Sequence, residues 1–254
     1  MPRKTSLGPS PRELLREREA GYTHIETIGK FFEKHQVPAI QIGHITHTPV
    51  IDGVIVDNFA GACKAMQHFL AAGHTKIATI RWNASLDPAS PKKYAGYVCA
   101  LQEAGIPLRP EYVLHSPFNR VGDRHPGRIA AEQLLALPDP PTAVFVENSF
   151  ISASLIHTVA PGELSIPAAI GALDMIHFEA LHLEWIERAM SGKLGFPLRQ
   201  TKLLRINWRE LGRVTADRLL ARLSGTNADR EVIQLVPKLF AVNGFEYTSL
   251  EPEA

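Results

Sequence analysis

Five short stretches place polar or aromatic side chains directly after apolar runs. They are Asp57-Asn58, Arg81-Trp82-Asn83, Phe118-Asn119, Glu147-Asn148 and Asp174. Amides and carboxylates hydrogen-bond hydroxyl groups, and an aromatic ring covers the apolar face of a sugar ring. With Arg81 as its single basic group, the set suits a polyol or a sugar.

Other chemistries find less support. The chain has 11 histidines, but His177 and His182 are five apart and diverge on a helix, while His44 and His47 fall in a polar loop. Ligands held by one helix need i, i+4 spacing, so no zinc set is expected, and no cofactor. G-x-S-x-G, Walker and G-x-G-x-x-G patterns are absent, and no pairing of nucleophile and base is visible. The two cysteines, Cys63 and Cys99, sit in the helical patterns AGACKAM and GYVCAL, where they read as small buried hydrophobes.

The candidate stretches must be positioned by the segments that precede them. VIDGVIV, KIATI, TAVFVEN and AAIGALD are short apolar runs read as strands. Helical patterns alternate with them, over residues 24–35, 91–105, 126–137, 150–160 and 208–224, and between the Asp57 or Asn58 cap and Gly73. Further strands are expected in VPAIQIG, YVLHSP, EVIQLVP and LFAVNG, and residues 176–200 read as irregular. Strands apolar on both faces, alternating with helices, predict an α/β fold with a parallel sheet covered by helices. In such sheets ligands bind at the carboxyl ends of the strands, where the five stretches lie.

Bulk composition agrees with a globular chain. Of 254 residues, 45% are hydrophobic and 21% charged, and 27 basic against 26 acidic residues leave a net charge of +1. That balance carries no electrostatic footprint for nucleic acid. No apolar run is long enough to span a membrane, and the leader MPRKTSLGPSPRE lacks a signal peptide's apolar core. A cytoplasmic protein is expected.

The order of five segments resembles the effector-binding domain of the lactose-repressor/galactose-repressor (LacI/GalR) class of transcription regulators. The segments are VDNFAGACKAMQHFLAAGHTKIATI, KKYAGYVCALQEAGIPL, PTAVFVENSFISAS, LSIPAAIGALDMI and RINWRELGRVTADRLLARLSG, within residues 37–245. The resemblance implies a two-lobe, parallel-sheet fold of the periplasmic-binding-protein-like I type. It places the N-terminal lobe at residues 1–56 and 203–225, incomplete and with exposed apolar edges, and the C-terminal lobe at 57–202 and 226–254. It also implies four ligand-binding residues: Asn148, Asp174, Lys93 and Phe118. Lys93 stands where the family has arginine, which replaces a bidentate clamp by a single-point contact. Ser149 and Met175 stand where the family usually has aspartates. Each residue also has a plainer reading: Asn148 as a helix cap, Asp174 as a turn residue, Lys93 as a solvated side chain and Phe118 as core.

The function implied is the sensing of a small sugar-like effector in the cleft between lobes, with lobe closure biasing a homodimer. DNA would be bound only through a helix-turn-helix that residues 1–36 do not contain. One alternative is a periplasmic-type sugar-binding protein of a transport system. Another is an enzyme on a doubly wound sheet, which would need a catalytic pair.

Overall fold

A computed structural model of the chain describes residues 27–43, 51–82, 89–115, 126–148, 151–152, 174–178, 201–225, 229–243 and 246–251. In chain order these form α1 (27–34), β1 (Ile40–Gly43), β2 (Asp52–Val56), α2 (Asn58–Ala71), β3 (Ile77–Arg81) and α3 (Ser90–Glu103). There follow a 3-10 turn (Pro110–Tyr112), β4 (Val113–His115), α4 (Pro126–Leu135), β5 (Ala143–Val146), β6 (Asp174–Phe178) and β7 (Thr201–Arg205). The last elements are α5 (Trp208–Leu223), β8 (Val232–Leu235), β9 (Lys238–Asn243) and β10 (Glu246–Ser249).

These elements divide into two compact units, Met1–Val56 with Trp208–Leu235, and Asp57–Asn207 with Val236–Ala254. The crossings differ from the expected positions at 203 and 226. β7 pairs with β6, which keeps it in the second unit, and β8 pairs with β2, which keeps it in the first.

The first unit has a three-stranded parallel sheet in the order β1-β2-β8. All five residues of β2 are buried, including Asp52. A carboxylate taken out of water must be paired and hydrogen-bonded, and Asp52 is. Its Oδ1 accepts from Arg218 Nε at 2.9 Å, from Arg218 Nη2, and from the Glu231 amide at 2.8 Å. Arg222 Nε stands 2.8 Å from Oδ2, an ion-pair distance without hydrogen-bond alignment. Arg218 also donates to the Asp229 carbonyl and lies 3.1 Å from Glu231 Oε2. One carboxylate thereby ties β2 to α5 and to the approach of β8. In α1 two apolar side chains are largely uncovered: Ile28 and Phe31 are 50% and 56% exposed.

The second unit carries seven strands in the order β10-β9-β7-β6-β5-β3-β4. The five from β4 to β7 run parallel, and β9 and β10 close one edge as antiparallel strands. β5 is buried at all four positions, as expected of an inner parallel strand. Asp57 caps α2, its Oδ1 accepting from the Ala60 amide at 2.9 Å, and Gly73 ends the turn after it at φ +88°. α2 and α3 meet so closely at Gly96 that a Cβ there would stand 2.6 Å from the Phe59 carbonyl oxygen. Cys63 and Cys99 are free thiols, half-buried rather than fully enclosed.

Three strands depart from expectation: β6, β7 and β10, the last formed by EYTS beyond the expected final strand. Among the described residues β6 runs from Asp174 to Phe178, past the expected end at Asp174, and pairs from Asp174 opposite Ala143 to His177 opposite Val146. β7 forms from TKLLR, just beyond the 176–200 stretch read as irregular and before the expected helix at 208, where no strand was expected.

Candidate functional site

Register decides which strand tips meet. β3 and β5 are neighbours with Ile80 opposite Val146, so Arg81-Trp82 and Glu147-Asn148 emerge side by side at the sheet's carboxyl edge. Helix α3 begins close by and contributes Ser90, Lys93 and Tyr94. Each contribution follows from chain direction. A parallel strand delivers its last residues to this edge, and the next helix returns from it.

Glu147 is the hub, 1% exposed. Its Oε1 accepts from Arg81 Nε at 3.4 Å, and its Oε2 accepts from Ser90 Oγ at 2.5 Å and from the Trp82 amide at 3.3 Å. Burial pushes its carboxyl up to about 7, against the lowering effects of the Ser90 hydrogen bond and of the charges on Lys93 and Arg81. The Arg81 guanidinium lies 4.0 Å from the centre of the Tyr94 ring, a cation–π contact. Tyr94 in turn stacks on Tyr97, whose hydroxyl donates to the Ile77 carbonyl at 2.8 Å. Burial raises the Tyr97 hydroxyl above the ordinary phenolic range.

Lys93 is buried, so the solvated reading does not hold. Its Nζ donates to the Glu147 carbonyl at 3.0 Å, a contact that sets it against the start of Asn148. Asn148 is half-buried, and its carbonyl accepts from the Ser152 amide and hydroxyl, both at 3.2 Å. It thus opens a helical turn at the strand's end. Trp82 packs against the core cluster that contains Ile80, Tyr112 and Val146.

Of the four expected ligand residues, Lys93 and Asn148 come together. Asp174 does not join them: it opens β6 opposite the first residue of β5, at the other edge of the sheet. Phe118 lies outside the described residues, as do Asn83 and Asn119. Sequence reasoning placed Glu147 among the strand tips but missed it as the organising group, and missed Ser90 and Tyr94. The available signal was a glutamate directly after four apolar residues of an inner parallel strand, a position that demands partners.

The arrangement gathers Arg81 and Lys93 around Glu147, with Asn148 the next residue in the chain. The Ser90–Glu147 contact superficially resembles a nucleophile with its base. Ser90 is fully buried, and its hydroxyl also lies 3.2 Å from the Trp82 carbonyl, so it braces the loop. Among the described residues no group of three or more His, Cys, Asp or Glu can hold a metal ion. Among the same residues no helix is long and apolar enough to cross a membrane.

Comparison with known proteins gives the fold a lineage. The family described as periplasmic binding proteins and sugar binding domain of LacI family matches residues 21–239. Catabolite control protein A of Priestia megaterium is 26% identical over 212 residues, which are 84% of this chain and 58% of that protein. The chain therefore spans little more than half of that relative's length. A regulatory protein of the LacI family from Chloroflexus aggregans superposes with a TM-score of 0.64 at 22% identity, covering 86% of this chain and 72% of that one. A LacI family transcriptional regulator from Enterococcus faecium, solved with bound ribose, gives 0.61 at 20% identity, covering 87% and 76%. These likenesses show the periplasmic-binding-protein-like I fold. The chain belongs to the family of periplasmic binding proteins and LacI-type sugar-binding domains.

Proposed function

We propose that the chain senses a small sugar-like effector for a LacI-type transcription regulator and holds that effector at the carboxyl edge of β3 and β5. The observation that carries the reading is the convergence of Arg81, Lys93 and Asn148 on one edge of a parallel sheet. Hydroxyl-rich ligands are bound by such donors and amides. The ribose bound to the Enterococcus faecium regulator supports a carbohydrate over other small molecules. In the intact protein the effector favours one arrangement of a dimer and thereby changes its hold on DNA, a differential-affinity mechanism. Relatives named as regulators favour this over the transport reading, although the same family description includes periplasmic binding proteins.

The test is titration calorimetry of the chain with pentoses and hexoses. At least one sugar binds, and Asn148→Ala weakens it about tenfold, the worth of one well-placed hydrogen bond. Equal affinities in the two proteins would remove Asn148 from the site.

A further inference from the structure

We propose that Cys63 of α2 and Cys99 of α3 are a modification site, closing a reversible disulfide that staples the two helices together under oxidising conditions. The inference is independent of the effector reading.

Helix direction is the first argument. α2 and α3 both pack along the second unit's sheet. α2 leads into the start of β3 and α3 begins after its end, so both run opposite to β3 and parallel to each other. They meet at Gly96, where a Cβ would stand 2.8 Å from the Ala62 Cβ and 3.2 Å from the Cys63 amide nitrogen. Backbone therefore lies against backbone, the spacing a disulfide between two helices requires.

The second argument is where the sulfurs lie. The Cys63 thiol reaches across the seam and donates to the Gly96 carbonyl oxygen at 3.6 Å. A helical carbonyl points along the axis to the next turn, and that turn holds Cys99. Cys99 follows Gly96 by three residues, so it shares the face, and its side chain leans back toward the amino end, to the same carbonyl. Proximity also shows in the Cys63 thiol, which burial first and then the neighbouring Cys99 push up to about 11.

Placement on the seam is the third. Ala62, Met66 and Ala100 fill its inner side and are buried, whereas Cys63 and Cys99 are half-buried at its outer rim. A soluble oxidant can reach them there. The chain has two cysteines, so one intramolecular pairing exists. Closing it gives up two weak sulfur contacts, Cys63 to Gly96 and Cys99 to Glu103 at 3.5 Å.

The oxidant is a low-molecular-weight disulfide such as oxidised glutathione. Cys99 makes the solvent-exposed contact of the two and reacts first. Its thiolate attacks one sulfur of the oxidant, whose S–S bond breaks, and one glutathione leaves and takes up the proton. The Cys63 thiolate then attacks the Cys99 sulfur, and the second glutathione leaves in the same way. The two cysteines lose two electrons and the oxidant gains them. Both thiols are raised, Cys99 by desolvation and by Glu103, so exchange is slow and the bond records sustained oxidation. The segment it closes contains β3 and the tip Arg81-Trp82, whose local opening it makes harder.

The test equilibrates the chain in glutathione redox buffers, with and without concentrated urea, and reads the linked fraction by mass spectrometry after acid quenching. The native chain is expected to lose two hydrogens, to yield a peptide pair joining Cys63 to Cys99, and to recover both thiols in dithiothreitol. The effective concentration of the pair is at least about tenfold higher in buffer than in urea, because a bond that fits the fold stabilises it. By the same linkage the melting temperature rises by several degrees on oxidation. Cys63→Ser and Cys99→Ser abolish both changes while melting as the reduced chain does. An effective concentration no higher in buffer than in urea would show that the helices hold the sulfurs apart, and overturns the site. So do separate glutathione adducts on the two cysteines, chains linked to one another, or thiols that stay free in buffers that link the unfolded chain.

Discussion

Both units are organised around a buried carboxylate that meets an arginine, yet the two carboxylates stand in different company. In the first unit Asp52 binds Arg218 and Arg222, and the buried apolar side chains among the described residues are only Val54, Ile55, Val56 and Leu211. In the second unit Glu147 rests beside a large core that includes Phe69, Ile80, Phe145, Tyr97 and Tyr112. Where apolar area is scarce, the ionic tie fixes the positions of the elements. Where it is plentiful, the elements are already placed by packing, and the carboxylate instead gathers Arg81, Ser90 and the Trp82 amide at one strand tip.

The largest expected effect breaks the tie in the smaller unit. Asp52→Asn preserves shape and removes the charge, leaving Arg218 with its side chain 4% exposed and its principal partner gone. Uncompensated burial of one member of an ion pair costs about 3–5 kcal/mol. Amide hydrogen exchange would show the loss in β1, β2, β8 and α5, while β3 and β5 keep their protection. Uniform loss across both units would contradict the contrast, because it would mean that the two unfold as one.

The next effect concerns Glu147, and its sign is opposite to that of most ion-paired carboxylates. The folded-state value, about 7, lies above the ordinary 4.5 because burial disfavours the charged form. The folded state therefore binds the proton more tightly than the unfolded chain. The stability so gained is complete below the unfolded value and is lost as pH rises through about 7, a change of about 3 kcal/mol at most. Urea midpoints measured from pH 5 to 8 should fall with rising pH, and Glu147→Gln should flatten that slope. An unchanged slope in the variant would assign the titration to another group.

The same contrast shows what the sequence could and could not disclose. β2, β3 and β5 are apolar runs that need no partner to be recognised, and Asp57 with Gly73 brackets α2 through local capping alone. Lys93 and Asn148 came by resemblance, and they do share an edge. Asp174 was expected at a strand's carboxyl end, whereas among the described residues it pairs opposite Ala143, the first residue of β5, because register between strands is a non-local property. β7 was invisible for the same reason, since TKLLR becomes a strand by pairing with β6 and β9. Glu147 could be placed but not understood. Its role depends on Ser90 and Arg81, 57 and 66 residues away in the chain. The crossings at 208 and 236 follow the pairings of β7 and β8, which no local pattern encodes.

The smallest effect sharpens the comparison within one helix. On α5, Arg213 and Asp217 form an ion pair at 2.8 Å with i, i+4 spacing, and their side chains are 66% and 61% exposed. The next residue, Arg218, turns inward to Asp52. Water screens the outer pair and both side chains give up rotamer freedom to form it, so such pairs contribute about 0.3–0.5 kcal/mol. Asp217→Ala should therefore move the urea midpoint only slightly, and moderate salt should abolish even that difference. The loss after Asp52→Asn should persist in salt, because ions reach an exposed pair far more readily than a buried one. If the two substitutions on this face-and-back arrangement cost similar amounts, burial is not what gives the first unit's arginines their importance. The smaller unit would then draw its stability from packing, as the larger one does.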